Sequence, residues 1–401
     1  MSTVAGNVVT VNTGSSSIKI VIFAKGSTKS KTPILALSVT DIGQPTAILQ
    51  ITFANEPTQT EKIHALDHIA ASHVLIERLA RIISPDSVAA IGHRLVHGGV
   101  TYTEPMPVAI ITEADWELLS QLDPEHTPAA RQLIDQFAKQ YPSTMQVACF
   151  DTAFFRDLPH VAQIVPIPQK YFAEGVRRYG FHGLSYTSLL ETFRERAGET
   201  AANGRIIMAH LGSGASLTAT RLGKPVDTTM GFTPTSGIAM STRSGDLDPS
   251  IFGFLHRQNN MTADEFDHMI NFESGLLGVS GVSDDMHSLL NLEKNNKDAA
   301  MAIELFVHDV KKSIGALAAV LGGVDSLIFS GGIGEQSAII RARICQDLAY
   351  MGVEISEDAN THHAFLISSE SSKVGVHVIQ TDEALVIATK TQELVNKTDN
   401  K

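Results

Sequence analysis

Four segments of the 401-residue chain place charged side chains beside glycines or at the ends of apolar stretches. They are residues 92–99 (GHRLVHGG), 150–152 (FDT), 177–183 (RRYGFHG) and 231–249 (GFTPTSGIAMSTRSGDLDP). Arg94 falls within a strand pattern, where an arginine is costly to bury unless it pairs with a structural carboxylate or holds an anionic ligand. Asp151 leaves a buried strand, a position suited to a helix cap or to a magnesium ligand. Arginines and a histidine around a glycine turn in an acidic protein favour an anion site.

Two glycine-serine hairpins lie half the chain length apart, at residues 8–23 and 205–221. Four positions of the first hairpin match the second at one constant offset, namely Asn12, Gly14, Ser15 and Ile18 with His210, Gly212, Ser213 and Ser216. A strand, glycine turn and strand bring backbone N–H groups and hydroxyls up to a phosphate. A third loop, GGIGEQS, follows the strand DSLIFS and opens a helix, which is an anion-ready geometry. Together the loops predict a duplicated domain that binds phosphate, whereas either hairpin alone could be ordinary.

Phosphate loops, carboxylates at strand ends and two isolated arginines are the components of phosphoryl transfer. The P-loop signature G-x-x-x-x-G-K-[ST] is absent from the sequence, and so is the protein-kinase signature set. No close pair of histidines or cysteines has the spacing of a zinc site. The sequence therefore predicts a phosphotransferase of another fold.

Composition sets wider bounds on the protein. A chain of 401 residues exceeds the usual size of one core, so two domains are expected. The formal charge of −12 argues against nucleic acid or an anionic membrane as a partner. Cys149 and Cys345 read as buried, reduced thiols, and neither a signal peptide nor a membrane span is apparent, so we expect a cytoplasmic protein.

Hydrophobic periodicity predicts strands alternating with helices in both halves. The predicted helices cover residues 65–83, 113–122, 129–140, 188–196, 298–321 and 384–395. Buried strands are predicted at VAAIGHRLV, MQVACF, DSLIFS and GVHVIQ. This alternation predicts an α/β protein with a cleft between two related domains.

The ordered motifs resemble those of the acetate and propionate kinase family, within the sugar kinase, heat-shock protein and actin superfamily. They are NTGSSSIK, GHRLVHGG, FDTAF, RRYGFHG, AHLGSGAS, DTTMGFTP, TRSGDLDP, SGGIGE and TDEAL. The resemblance implies two duplicated ribonuclease H-like domains (the actin-like ATPase fold) with an interdomain cleft. It places an acyl-substrate domain at residues 1–151 plus 384–401 and a nucleotide-binding domain at 152–383.

The resemblance also implies an activity: reversible transfer of the γ-phosphoryl group of ATP to acetate, with Mg²⁺ (or Mn²⁺) as cofactor, ADP as the other product, and a homodimer. Arg94 would hold the acyl carboxylate, Arg243 and His182 the transferring phosphoryl group, and His126 would lie nearby. Asp151 and Glu383 would organise the metal with Asn12, and Val96 and Pro234 would form the acyl pocket. The implied ATP-binding residues are Asn12, Ser15, Ser17, Lys19, His210, Leu211, Gly212, Ser213, Gly214, Asp285, Met286, His287, Gly332, Ile333, Gly334, Glu335 and Gln336. A carboxylate acceptor is already ionised at neutral pH, so this chemistry needs no general base.

Several positions differ from the residues that are usual in the family's motifs. Ser213, His287 and Gln336 replace an amide, an arginine and another amide, which leaves the phosphoryl donor open. Leu184 and Tyr186 stand where threonine and histidine are usual. Glu125 replaces a leucine beside His126. Either Glu125 turns outward toward a basic group such as Arg131, which we expect, or the acyl pocket serves an acid that carries a polar or cationic tail. The alternatives are a kinase for propionate or another short acid, one with a different donor, or a non-catalytic nucleotide-binding protein.

Overall fold

A computed structural model of the protein describes residues 6–14, 16–24 and 32–399. The chain divides into two compact units. Unit 1 runs up to Ala153 and resumes at Asp382, and unit 2 comprises Phe154–Thr381. Within the described ranges, no helix is both long and apolar enough to cross a membrane.

Unit 1 contains an eight-stranded sheet. Its strands are β1 (Asn7–Thr13), β2 (Ile18–Phe23), β3 (Leu35–Thr40), β4 (Ala47–Phe53), β5 (Gln59–Ile63), β6 (Val88–Leu95), β7 (Met106–Pro107) and β8 (Met145–Phe150). The strand order is β5-β4-β3-β2-β1-β6-β8-β7. Strands β1 to β5 form an antiparallel meander, whereas β6 pairs in parallel with both β1 and β8. The carboxyl ends of β1, β6 and β8 therefore meet at one edge.

The helices of unit 1 are α1 (His68–Ile82), α2 (Glu113–Leu122), α3 (Thr127–Gln140) and α16 (Glu383–Asp399). One core joins β1 to β4 with α1 and α3, and a second lies beneath α2 around Trp116 and Phe150. Helix α16 approaches β6 closely at Gly92, where an added Cβ would lie 2.2 Å from Thr391 Oγ1. Glycine at this position thus lets α16 pack on the sheet and carry Glu383 at its first turn.

Unit 2 repeats the central order with five strands. They are β9 (Ile206–Leu211), β10 (Ala215–Arg221), β11 (Lys224–Thr228), β12 (Ser326–Ser330) and β13 (Gly375–Val378), in the order β11-β10-β9-β12-β13. As in unit 1, the hairpin partners are antiparallel and the last two strands are parallel to the first. Two sheets of the same order confirm the predicted α/β fold with duplicated domains.

The helices of unit 2 surround its sheet. They are α4 (His160–Gln163), α5 (Gln169–Ala173), α6 (Gly183–Ala197), α7 (Glu199–Ala202), α8 (Ser250–Asn259), α9 (Ala263–Phe272), α10 (Gly275–Ser280), α11 (Met286–Leu292), α12 (Lys297–Leu321), α13 (Gly331–Gln336), α14 (Ala338–Cys345) and α15 (Glu357–Thr361). Short 3-10 helices occur in both units, at Pro85–Ser87, Val108–Ile110, Asp151–Asp157 and Ala349–Met351. Helix α12 begins at an Asn296 cap and ends at Gly322, whose φ of 71° suits glycine.

The predicted helices occur, with differences at their ends. Helix α6 starts five residues before the predicted Ser188, because its first turn is the sequence GLSYT, whose polar residues hide the helical period. Helix α12 buries ten of its residues within the chain, including Phe306 and Ile314. Its apolar surface is therefore largely part of the interior of unit 2.

Candidate active site

Arg94, Asp151, Asn12 and Glu383 form one hydrogen-bonded group in unit 1. Arg94 lies near the end of β6, and Asp151 follows β8 directly. Arg94 Nε and Nη2 donate to Asp151 Oδ2 at 3.0 and 2.7 Å. Arg94 Nη1 donates to Asn12 Oδ1 at 3.1 Å, and Asn12 Nδ2 donates to Glu383 Oε2 at 2.6 Å. The structure thus brings together four residues from strands β1, β6, β8 and helix α16.

The electrostatics of this group keep Arg94 charged. The Asp151 side chain is 1% exposed and that of Arg94 15%. Burial alone would lower the pKa of Arg94, but the carboxylates of Asp151, Glu383 and Asp123 hold it above its ordinary value. A guanidinium has five N–H donors, and the contacts among the described residues use three of them. Two donors therefore remain to bind an anionic ligand.

His126 and Val96 lie in the same unit. His126 Nδ1 is 2.8 Å from Asp123 Oδ1, and Thr127 Oγ1 donates to Asp123 Oδ2 at 3.1 Å. Burial opposes ionisation of Asp123, yet these hydrogen bonds and the charge of His126 leave its pKa below the usual value. Val96 is 8% exposed and is therefore packed in the interior of unit 1.

Glu125 is half-buried rather than turned fully outward. The guanidinium of Arg131, which we expected to serve Glu125, donates instead to both carboxylate oxygens of Glu113 at 2.6 and 2.7 Å. It also lies over the Trp116 ring at 5.5 Å. Arg131 is thus held by Glu113 and Trp116 of α2.

The first phosphate loop is described except for Ser15, which lies outside the described residues. Gly14 N donates to Ser17 O at 2.8 Å, which closes the turn between β1 and β2. Asn12 and Lys19 are opposite each other in this hairpin. The Lys19 side chain is exposed, whereas Asn12 joins the Arg94 group.

In unit 2, His182 lies at the N-terminus of α6 with a left-handed φ of 59°. Its Nδ1 atom is 2.9 Å from Ser216 Oγ, and Ser216 Oγ is 2.5 Å from the Tyr186 hydroxyl. The His182 ring lies 4.4 Å from the His210 ring, whose Nδ1 is 2.8 Å from Ser185 Oγ. Two histidines are thus anchored through their Nδ1 atoms by serines.

His182 and Arg243 converge on Gly214 in the second predicted phosphate loop. A Cβ added to Gly214 would lie 3.1 Å from His182 Nε2 and 3.7 Å from Arg243 Nη1. A Cβ on Gly212 would lie 3.8 Å from His210 Nε2 and 3.9 Å from Gly332 N. The glycines therefore leave open the space in which these side chains and backbone N–H groups meet. Buried Pro234 lies beside the same arginine, with its carbonyl 3.5 Å from Arg243 Nη1.

The remaining predicted nucleotide residues occupy several loops of unit 2. Asp285 caps α11 by accepting from Ser288 N at 2.9 Å, and it is followed by buried Met286 and exposed His287. Glu335 Oε1 accepts from Gly331 N at 2.9 Å and so closes the turn around Gly332, Ile333 and Gly334, next to exposed Gln336. Leu211 is buried in β9, and Ser213 is exposed at the hairpin tip.

Some residues make contacts that differ from those predicted from the sequence. Arg178, expected near an anion, donates to the carbonyls of Thr228, Thr229 and Met230 at 3.0 to 3.2 Å. Arg177 lies over the Phe172 ring at 4.0 Å. Ser216 and Tyr186 were not predicted as site residues, although the aligned hairpins contain Ser216 and the text GFHGLSY contains Tyr186. Strand pairing and helix packing bring both to His182.

The repeated strand order and the phosphate-loop hairpins define an α/β protein with duplicated actin-like ATPase domains. The model of the acetokinase family matches residues 7–389. An acetate kinase of Rhodopseudomonas palustris (strain TIE-1) is 44% identical over 323 residues, covering 80% of this chain and 81% of that protein. A propionate kinase of Escherichia fergusonii is 42% identical over 340 residues, covering 82% and 84%.

The fold is also that of a solved relative. The crystal structure of a propionate kinase from Francisella tularensis superposes with a TM-score of 0.89 at 32% identity, covering 97% of this chain and 100% of that one. The chain belongs to the acetokinase family. It is thus a phosphotransferase of the type that acts on carboxyl groups, and its relatives include both acetate and propionate kinases.

Proposed function

We propose that the protein is an acetate kinase that transfers the γ-phosphoryl group of ATP to acetate, reversibly and in line, giving acetyl phosphate and ADP. The observation that carries this proposal is the convergence of His182 Nε2 and Arg243 Nη1 on Gly214. Donors at such a position stabilise charge on the equatorial oxygens of a transferring phosphoryl group. Arg94, with two N–H groups not used by the described contacts, would bind the acetate carboxylate.

The residues of unit 1 fit a magnesium ion. Asp151, Glu383 and Asn12 carry the hard oxygen donors that Mg²⁺ prefers. Among the described residues, no group of three or more His, Cys, Asp and Glu side chains could hold a metal ion alone. Mg²⁺ usually takes one or two protein carboxylates and completes its coordination with waters and substrate phosphates. When bound, the ion would neutralise charge on the donor phosphates.

A propionate kinase is the second candidate, because relatives of this activity are nearly as similar as the acetate kinases. Val96 favours acetate, since a small branched wall leaves little room for an added methylene. One methylene in an apolar pocket changes selectivity by about 10- to 200-fold. We also propose that the protein is cytoplasmic and that it forms a homodimer. Light scattering at micromolar concentration would test the dimer by its molar mass.

The test is a matrix of kcat/KM values for acetate, propionate and butyrate against ATP, GTP and pyrophosphate, with and without Mg²⁺. We expect acetate with ATP to give the highest value and a chelator to abolish turnover. A preference for propionate of more than tenfold would replace the acetate assignment. Absence of acyl phosphate with every pair would refute catalysis.

A further inference from the structure

A buried chain of three hydrogen-bonding side chains ends at His182. It runs from the Tyr186 hydroxyl to Ser216 Oγ at 2.5 Å and from Ser216 Oγ to His182 Nδ1 at 2.9 Å. Tyr186 and Ser216 are fully buried, and His182 is 9% exposed. The two hydroxyls are therefore shielded from bulk solvent, and a buried hydroxyl is expected to donate its proton to a nearby acceptor.

Counting the protons shows which group donates in each hydrogen bond between Tyr186, Ser216 and His182. Burial raises the pKa of Tyr186, so the phenol keeps its proton. Among the described residues, the hydrogen-bond acceptor found for that proton is Ser216 Oγ. Among the contacts of the described residues, the acceptor for the serine proton is then His182 Nδ1.

We infer that Tyr186 is a positioning residue that, through Ser216, holds His182 in the tautomer with its proton on Nε2. An Nδ1 atom that accepts a hydrogen bond carries no proton, so a neutral imidazole must carry it on the other nitrogen. Nε2 is the atom that faces the open space at Gly214 beside Arg243. These hydrogen bonds thus leave an N–H donor at His182 Nε2. The proposed function, on which this inference rests, requires a donor at that place.

The opposite arrangement leaves a proton unplaced. If Nδ1 carried the hydrogen, Ser216 Oγ would accept from both His182 and Tyr186, and its own proton would lack an acceptor among the described contacts. A buried donor without an acceptor is costly. The His182 ring also packs against the His210 ring at 4.4 Å, so the hydrogen-bonded side chains and this ring contact act on the same imidazole.

The test compares the parent protein with Tyr186→Phe, which removes one oxygen and keeps the ring. Long-range ¹H–¹⁵N spectra of ¹⁵N-histidine-labelled protein report which ring nitrogen is protonated, and the His182 signals are assigned by their loss in His182→Gln. We expect an unprotonated Nδ1 in the parent and a mixture of tautomers in Tyr186→Phe. We also expect kcat to fall about tenfold, the effect of about one hydrogen bond, with the KM values for acetate and ATP within twofold.

Tyr179→Phe is the matched control, because Tyr179 is another buried phenol of unit 2 and donates to Gly175 O at 2.7 Å. It should leave the His182 spectrum and kcat unchanged. A protonated Nδ1 in the parent, or an unchanged spectrum and kcat in Tyr186→Phe, would overturn the inference. If the parent shows the expected tautomer but phosphorylates no acid, the proposed function fails and the tautomer assignment stands.

Discussion

Replacing Arg94 by alanine separates its structural role from its proposed catalytic role. The change removes two hydrogen bonds to Asp151, at 3.0 and 2.7 Å, and one to Asn12 at 3.1 Å. Asp151 is almost completely buried, so its charge then lacks the guanidinium that compensates it. Breaking a buried ion pair on one side costs about 3–5 kcal/mol. We expect the free energy of unfolding, measured by urea denaturation, to fall by about this amount.

Catalysis should fall by a separate mechanism. Removing one charge stabiliser from a transition state commonly costs about 3–4 kcal/mol, which is a factor of 10² to 10³ in kcat/KM. The KM for acetate should rise as well, because Arg94 would bind the carboxylate in the ground state. A coupled assay for ADP release, run on protein that circular dichroism shows to be folded, measures both effects.

The matched control is Arg343→Ala. Arg343 makes a similar two-point contact with Glu293, at 2.6 and 2.9 Å, but both side chains are partly exposed. Its loss should cost about 1 kcal/mol or less and leave kcat/KM unchanged. If folded Arg94→Ala keeps kcat/KM within threefold of the parent, or if adding Asp151→Asn restores activity together with stability, Arg94 is only a structural partner of Asp151.

Three further predictions follow from the site and the core. Gly214→Ala should lower kcat at least tenfold without unfolding the protein, because the new methyl would lie 3.1 Å from His182 Nε2; unchanged kcat would mean that this space is not used. Burial lowers the pKa of both His93 and His377 to about 4. The unfolded chain therefore binds protons between pH 6.5 and 4 that the folded chain does not, so stability should be greatest above pH 6.5 and fall toward pH 4. Urea midpoints at pH 7 and 5 test this, and a His93→Gln variant should lose part of the dependence. Glu125→Leu should change the KM for acetate by less than about threefold, a shift under 1 kcal/mol; a tenfold decrease would show that Glu125 faces the acyl site.

The sequence alone determined the fold class and named the residues of the candidate site. Period-two runs and amphipathic helices depend on local spacing, so α1, α2, α3 and α12 were predicted within a few residues. The two glycine-serine hairpins had a matching offset, which indicated a duplication that both sheets then showed. Arg94 and Asp151 were selected as candidates because a charge near the end of an apolar strand requires an explanation.

Only the tertiary structure decided which groups meet. Asn12 and Glu383 are 371 positions apart, and their contact depends on α16 packing against β6 at Gly92. Arg178 and Arg131 looked like available cations, but carbonyls and Glu113 hold them. Tyr186 and Ser216 looked like ordinary polar residues, because hydrogen bonds between a helix and a strand leave no local pattern. A sequence specifies side chains and periods, whereas the partner of a buried polar group is set by packing between distant elements.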